Sequence, residues 1–245
     1  DFSSTDYVGH QFGAHSKEVQ DTYVRLDKEI ERLLNYLDNN IGENKYTLFL
    51  TADHGATDAP GFLKDNKIPV NYFNSKKFKY HIEKSLIKMF GSKYIISGNS
   101  NQQIYLNHEL IDKLNLNLNL VKKSVINAIQ SFPGIDNVYS SEQILDGSDG
   151  HFIKLIRNGF NINLSGDIMY TMMPNWTYYR KGSTHGRRFN HDTHVPLILY
   201  GNGIKKGSTN RETDVIDIAP TIAAVLGINS PNASTGRVIF EAIDD

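Results

Sequence analysis

Apolar residues recur at intervals of three and four between Ser16 and Asp38, at Val19, Tyr23, Leu26, Ile30, Leu33, Leu34 and Leu37. This stripe predicts an amphipathic helix laid on a flat partner. Ser16 stands where an N-cap belongs, and Asn39-Asn40-Ile41-Gly42 supplies the stop. The period then changes. Tyr46-Thr-Leu-Phe-Leu50 is short and, apart from its threonine, apolar, which predicts a strand buried on both faces. A helix feeding such a strand predicts an α/β layered fold with a mostly parallel sheet flanked by helices. The same grammar returns late in the chain. HVPLILYG, residues 194–201, predicts a second buried strand, and DVIDIAPTIAAVLGI, residues 214–228, a helix entered through Pro220 and closed at Gly227.

Between these pieces the chain becomes rich in asparagine and lysine. Its pattern predicts helices near 78–90 and 118–131, a hairpin-like pair around Gly98-Asn99 and Gln103–Leu106, and strands near 137–140 and 167–173. Together they make a small α+β unit. The chain is thus expected to divide into a core segment 1–71, an inserted cap subdomain 72–178, and a second core segment 179–245. The alternation of asparagine and leucine from Asn115 to Leu120 reads as the lead-in to a helix and not as a functional tract.

Composition narrows the function classes. A formal net charge of -1 with 22% charged residues gives no bulk attraction to nucleic acid or to an acidic surface, so a charged substrate must be met by local groups. The absence of cysteine excludes disulfides, thiolate metal sites and cysteine nucleophiles. No apolar run approaches the roughly 18 residues of a membrane span, and no signal peptide opens the chain. The first residues, DFSSTDYVGH, lack an initiator methionine and read as the end of a strand already under way. A longer protein is therefore expected, with its N-terminal part outside this chain.

Three clusters carry candidate chemistry. Asp6 and His10 are four apart, which brings a carboxylate and an imidazole to one point if the segment turns helically or loops tightly. Alone, that spacing is weak, and a polar loop is the ordinary reading of it. Asp53 and His54 stand directly after the first strand, where open α/β sheets place their sites, and Gly55 lets the backbone turn beside them. A capping aspartate beside a surface histidine would look the same. The third cluster holds His185, His191 and His194 within ten residues, with Arg187 and Arg188 among them. Nitrogen and oxygen ligands without sulfur suit zinc ahead of manganese or iron. Two Asp/His pairs and one late histidine make five candidates, more than the three ligands of a catalytic zinc or the four of a closed structural one, which points to more than one metal. Two metals about 4 Å apart are the usual apparatus for in-line displacement at phosphorus.

FSSTDYVGHQFG, TLFLTADHG, STHGRRFNHDTHVPLILYG and DVIDIAPTIAAVLGI, in that order, resemble the metal-binding half of the alkaline phosphatase superfamily. The wording is most similar to the phosphate-irrepressible alkaline phosphatases of Flavobacterium-type bacteria. The resemblance implies that Asp6, His10 and His185 hold a first zinc and that Asp53 and His54 are two ligands of a second. His191 and His194 do not match ligand positions, although His194 is the competitor to His185. The remaining second-zinc aspartate, the nucleophilic threonine and the lysine, arginine and asparagine that grip the phosphoryl group are implied upstream of Asp1. Neither Thr5 nor Thr51 stands in a nucleophile motif.

The implied activity of the intact protein is hydrolysis of phosphate monoesters through a phospho-threonine intermediate, in a periplasmic or secreted setting. Its implied partners are the substrate and the missing N-terminal half, with no nucleic acid and no membrane. A nucleotide pyrophosphatase or phosphodiesterase shares all five ligands, and a third reading is an inert zinc-binding fragment. Sulfatases share the DIAPTI style of ending, but their nucleophile comes from an early cysteine or serine and their usual metal is calcium. Arg187 and Arg188 are candidates to meet phosphate, and Trp176, Tyr178 and Tyr179 to line the site's mouth; solvation and packing are the competing roles.

Overall fold

The computed structural model describes residues 2–147 and 150–244. In chain order its first elements are α1 (Ser4–Phe12), α2 (Lys17–Asn40), β1 (Thr47–Thr51), α3 (Pro60–Asp65), β2 (Asn71–Tyr72) and α4 (Ser75–Phe90). Then come β3 (Ile96–Ser100), β4 (Gln103–Leu106), α5 (His108–Lys113), α6 (Leu118–Gln130), β5 (Ile135–Ser140), α7 (Ser141–Asp146) and α8 (Gly150–Asn158). The last are β6 (Ile168–Met172), β7 (Trp176–Thr177), α9 (Asn190–Thr193), β8 (Leu197–Gly201) and α10 (Ile218–Val225). They group into two compact units, one comprising essentially Ser3–Val19 and Ala56–Thr193, the other Gln20–Gly55 and His194–Asp245.

The second unit holds most of α2, with β1, β8 and α10. Ser16 is the predicted cap: its Oγ accepts from the Val19 N–H at 3.2 Å. At the far end the N–H groups of Ile41 and Gly42 both close on the Leu37 carbonyl, at 2.8 and 3.2 Å. α10 starts at Ile218, two residues before the expected entry at Pro220. Proline is tolerated there because the first-turn N–H groups have no intrahelical acceptor. β1 and β8 pair in register from Thr47 opposite Gly201 to Thr51 opposite Leu197, and they run antiparallel. The expected parallel arrangement therefore does not describe this pair. A helical crossover fixes the relative direction of strands it joins, whereas β1 and β8 are separated by nearly the whole of the other unit. Both strands also keep exposed apolar side chains, Phe49 at 47% and Ile198 at 52%, so burial on both faces is not observed.

In the first unit, β3, β4, β6 and β5 form a four-stranded antiparallel sheet in that order, beside the short parallel pair of β2 and β7. Asn101 and Gln102 make the β3–β4 turn with φ of 48° and 61°, the positive pair that a two-residue hairpin twist requires. β6 buries every second side chain, Ile168, Tyr170 and Met172. Its apolar face packs with Phe78, Ile82 and Leu86 of α4 and with Val121, Val125 and Ile129 of α6 in one core cluster. Each such buried side chain contributes about 1.5 to 3 kcal/mol. Asparagine caps three of the helices: Asn74, Asn107 and Asn117 accept from the N–H groups of Lys77, Leu110 and Leu120. The lead-in reading of the Asn-Leu alternation therefore holds, with Asn117 as its cap. The unit takes in more chain than residues 72–178, because α1 and the segment from Ala56 are hydrogen-bonded to the 182–184 region.

Lys122 of α6 is a buried cation, 7% exposed. Its Nζ donates to the Ser141 hydroxyl at 3.2 Å and to the Glu142 carboxylate, and lies 3.9 Å from Asp167 Oδ1. Asp167 in turn receives the Leu106 N–H at 2.8 Å and contacts His108 Nε2 at 2.8 Å. Burial alone would raise the Glu142 carboxyl. The hydrogen bonds from Lys122, its own backbone N–H and Ser140, with the ammonium charge, outweigh this and bring it down to about 2.

Lys122→Ala, which strands this network, is expected to lower stability by about 2 kcal/mol in urea unfolding. Lys79→Ala, from the exposed Lys79–Glu83 pair, should cost less than about 0.5 kcal/mol. Because the folded Glu142 carboxyl lies below its ordinary value of 4.5, its contribution is complete above that pH and is lost as the pH falls toward 2. The melting-temperature gap between the wild type and Glu142→Gln should close over that interval; a gap independent of pH would contradict the assignment.

Candidate metal centre

The opening residues are helical and do not end a strand. A helix places residues i and i+4 one above the other, and α1 thereby sets His10 Nε2 3.4 Å from Asp6 Oδ1. His185 arrives from an irregular segment far along the chain, its Nε2 3.7 Å from the same oxygen. The two imidazoles stand 5.1 Å apart between centroids, tilted by 43°. One ligand atom from each of the three lies within 4.8 Å of the others, the only such group among the described residues. The donor set is one carboxylate and two imidazoles, each side chain still 32 to 40% exposed, which fits a three-ligand zinc site with an open side.

The surroundings fix this geometry. His10 Nδ1 lies 2.9 Å from the Ser183 carbonyl. A carbonyl only accepts, so Nδ1 carries the proton and Nε2 presents its lone pair, as the outer partners of metal-binding histidines commonly arrange. The Ser183 N–H donates to the Gly9 carbonyl at 3.0 Å, and its hydroxyl oxygen accepts from the Ala14 N–H at 2.8 Å. Gly182 (φ 68°) lies so close to α1 that a β-carbon would fall 1.8 Å from the His10 carbonyl oxygen. One residue before His185, Thr184 accepts from the Thr57 N–H at 2.7 Å and donates its own N–H to Thr57 Oγ1 at 3.0 Å. After it, the Arg187 N–H is taken by Asp192 Oδ2 at 2.6 Å. Asp192 is 3% exposed. Burial pushes its carboxyl up, against the hydrogen bond from Arg187 and the charges of His191, Arg187 and His185.

Asp53 and His54 follow β1 as expected. The His54 N–H donates to Asp53 Oδ1 at 3.2 Å, and His54 Nδ1 lies 2.9 Å from the Gly55 carbonyl. Among the described residues no third carboxylate or imidazole joins them. His194 is outside the triad, and His191 is exposed, tilted against Phe189 and 3.8 Å from Asp192 Oδ1. The arginines separate. Arg188 pairs with Asp136 and lies 4.8 Å over the Phe152 ring, whereas Arg187 is half-buried. Trp176 packs on Gly134, where a β-carbon would meet its ring at 2.3 Å, and Tyr178 lies edge-on to Phe73. Gly182, Ser183 and Thr57 were not singled out from the sequence, because each acts through its backbone or through a partner remote in the chain, and Asp192 was not because its burial beside Arg187 is set by the fold.

The profile of the type I phosphodiesterase / nucleotide pyrophosphatase family matches residues 1–196. A Myroides odoratus protein named calcium-transporting ATPase is 39% identical over 246 residues, 99% of this chain and 45% of its own length. Alkaline phosphatase PafA of Elizabethkingia meningoseptica is 36% identical over 244 residues, 98% of this chain and 44% of its own. A crystal structure of wild-type alkaline phosphatase PafA matches with a TM-score of 0.90 at 37% identity, covering 98% of this chain and 46% of that one. The chain thus spans somewhat under half the length of these relatives, and the α/β fold expected from the resemblance holds. It belongs to the type I phosphodiesterase / nucleotide pyrophosphatase family, within the alkaline phosphatase superfamily.

Proposed function

We propose that the intact protein is a zinc-dependent phosphatase acting on phosphate monoesters, to which this chain contributes the first metal's ligands, Asp6, His10 and His185. The convergence of those three side chains from both ends of one unit carries the reading. Zinc bound there would supply Lewis-acid charge to a departing oxygen. The chain's own part is preparation. Asp6 brings the negative charge that balances the cation, the Ser183 carbonyl holds His10 in the metal-binding tautomer, and the Thr57 and Asp192 contacts keep the His185 segment in place. The names of the relatives support the reaction class, since a phosphatase and an ATPase both break a bond to phosphorus.

Asp53 and His54 are assigned to a second zinc. Its other ligands, the threonine nucleophile and the groups that grip the phosphoryl are assigned to the part of the relatives' length that this chain does not span. This chain by itself is proposed to be without turnover, and the intact protein to work in the periplasm or outside the cell. No helix of the described residues is long and apolar enough to cross a membrane. The family profile's own description favours a second reading, hydrolysis of nucleotide diesters. Relative kcat/KM on an aryl phosphate and a bis-aryl phosphate separates the two.

Zinc titration of the chain followed by calorimetry is expected to give one tight site. His185→Ala should weaken it by at least about 100-fold, since even outer partners of a ligand are worth 10- to 100-fold, while Asp53→Ala leaves it unchanged. In the full-length protein, aryl phosphate turnover should vanish with chelator and with His185→Ala. Persistence of turnover in both would overturn the assignment.

A further inference from the structure

Beside the triad lies a pocket whose lining includes Thr57, Asp58, Asn175, Trp176, Arg187 and His191. It adjoins the metal ligands through the paired hydrogen bonds between Thr57 and Thr184, the residue before His185. Two atoms of this region stand out: Arg187 Nη2 and Asp192 Oδ1 are shut off from solvent with no hydrogen-bond partner. Buried donors on a guanidinium are almost always satisfied, so an orphan one at a pocket wall calls for an acceptor from outside the chain. The nearby carboxylates make no hydrogen bond to that Nη2. Asp58 Oδ1 lies 2.7 Å from His15 Nε2, and Asp192, although its charge acts on Arg187, puts Oδ2 on the Arg187 backbone N–H and leaves Oδ1 without a hydrogen bond to the guanidinium. The neighbouring Arg188 shows the alternative, closed on Asp136 and lying over the Phe152 and Phe189 rings.

We propose that this pocket is an oxyanion subsite, taking a carboxylate or phosphate group through the Arg187 guanidinium. The planar fork of arginine matches either group with two parallel hydrogen bonds. His191, exposed at the same pocket, offers a second nitrogen, and the Thr57 hydroxyl, which accepts from Thr184, keeps its own proton to donate. Trp176 supplies an apolar wall, fixed by its packing on Gly134. Taken with the proposed phosphatase activity, on which this last step rests, the subsite selects esters that carry a second acidic group beyond the reacting phosphate.

The test is binding to the 245-residue chain held metal-free with chelator, so that zinc plays no part. Inorganic phosphate and malonate are titrated separately while the Trp176 indole and backbone amide resonances are followed by NMR. Saturable shifts centred on Thr57, Trp176, Arg187 and His191 are expected, and the probe that saturates at lower concentration identifies the group the subsite takes. Arg187→Gln should weaken that binding by about tenfold or more, equivalent to about 1.4 kcal/mol. Arg188→Gln should leave it within about twofold. If Arg187→Gln does not fold, Arg187→Lys serves, keeping the charge and losing the fork, with weakened binding again expected. Absence of saturable shifts with both probes, or equal affinity in the Arg187 variant, overturns the subsite. Neither result bears on zinc binding, which the titration of His185→Ala decides separately.

Discussion

Everything at the candidate metal centre depends on the close approach of the segment before His185 to the end of α1. The contact is tight enough that residue 182 has no room for a β-carbon against the His10 carbonyl. Once that glycine is in place, two hydrogen bonds between Ser183 and the helix, Ser183 N–H to Gly9 and His10 Nδ1–H to Ser183, define both the position of the loop and the tautomer of the His10 ring. One backbone contact thus joins the two ends of the triad and orients one of its rings. Free carboxylate and imidazole side chains would lose conformational entropy on converging, and a metal bound to an unprepared set would have to offset it. Here the Ser183 contact orders the His10 ring in advance.

The larger unit explains the composition of the middle of the chain. Its asparagines are not spread as generic polar filler. They cap helices at Asn74, Asn107 and Asn117 and occupy left-handed backbone positions at Asn101, Asn115 and Asn175. Both uses follow from a short side chain that competes for nearby backbone groups. The buried Lys122 is held by the same logic of satisfaction, since a desolvated ammonium persists only where carboxylates and a hydroxyl surround it. Asp167 serves that lysine, the β4 backbone and His108 together. Arg187 is the counterexample within the same unit, a cation left with an unsatisfied donor at a pocket wall.

The sequence made the periodic elements and the local pairs legible. α2 with its Ser16 cap, α4, α6 and the strands of the middle sheet follow from the spacing of apolar residues, because helix and strand periods are properties of a short window. Asp6 and His10 are equally local once their segment is helical. The direction of β8 against β1 was not legible, since it depends on a chain path through the other unit, and the exposure of Phe49 and Ile198 depends on what covers a sheet face.

What the sequence by itself determined is therefore the identity of the donors, their order, and the local turns that hold each of them. That much is set by residue type and by neighbours within a few positions. The family resemblance pointed to His185 ahead of His194, and the tertiary structure shows how its ring nitrogen comes beside Asp6 and His10. Only the tertiary structure decided that Arg187 and Arg188, adjacent and chemically alike, part ways, one onto Asp136 and one toward a pocket. The reason is physical: convergence and burial are set by contacts between residues 52 to 173 positions apart, and no local window contains them.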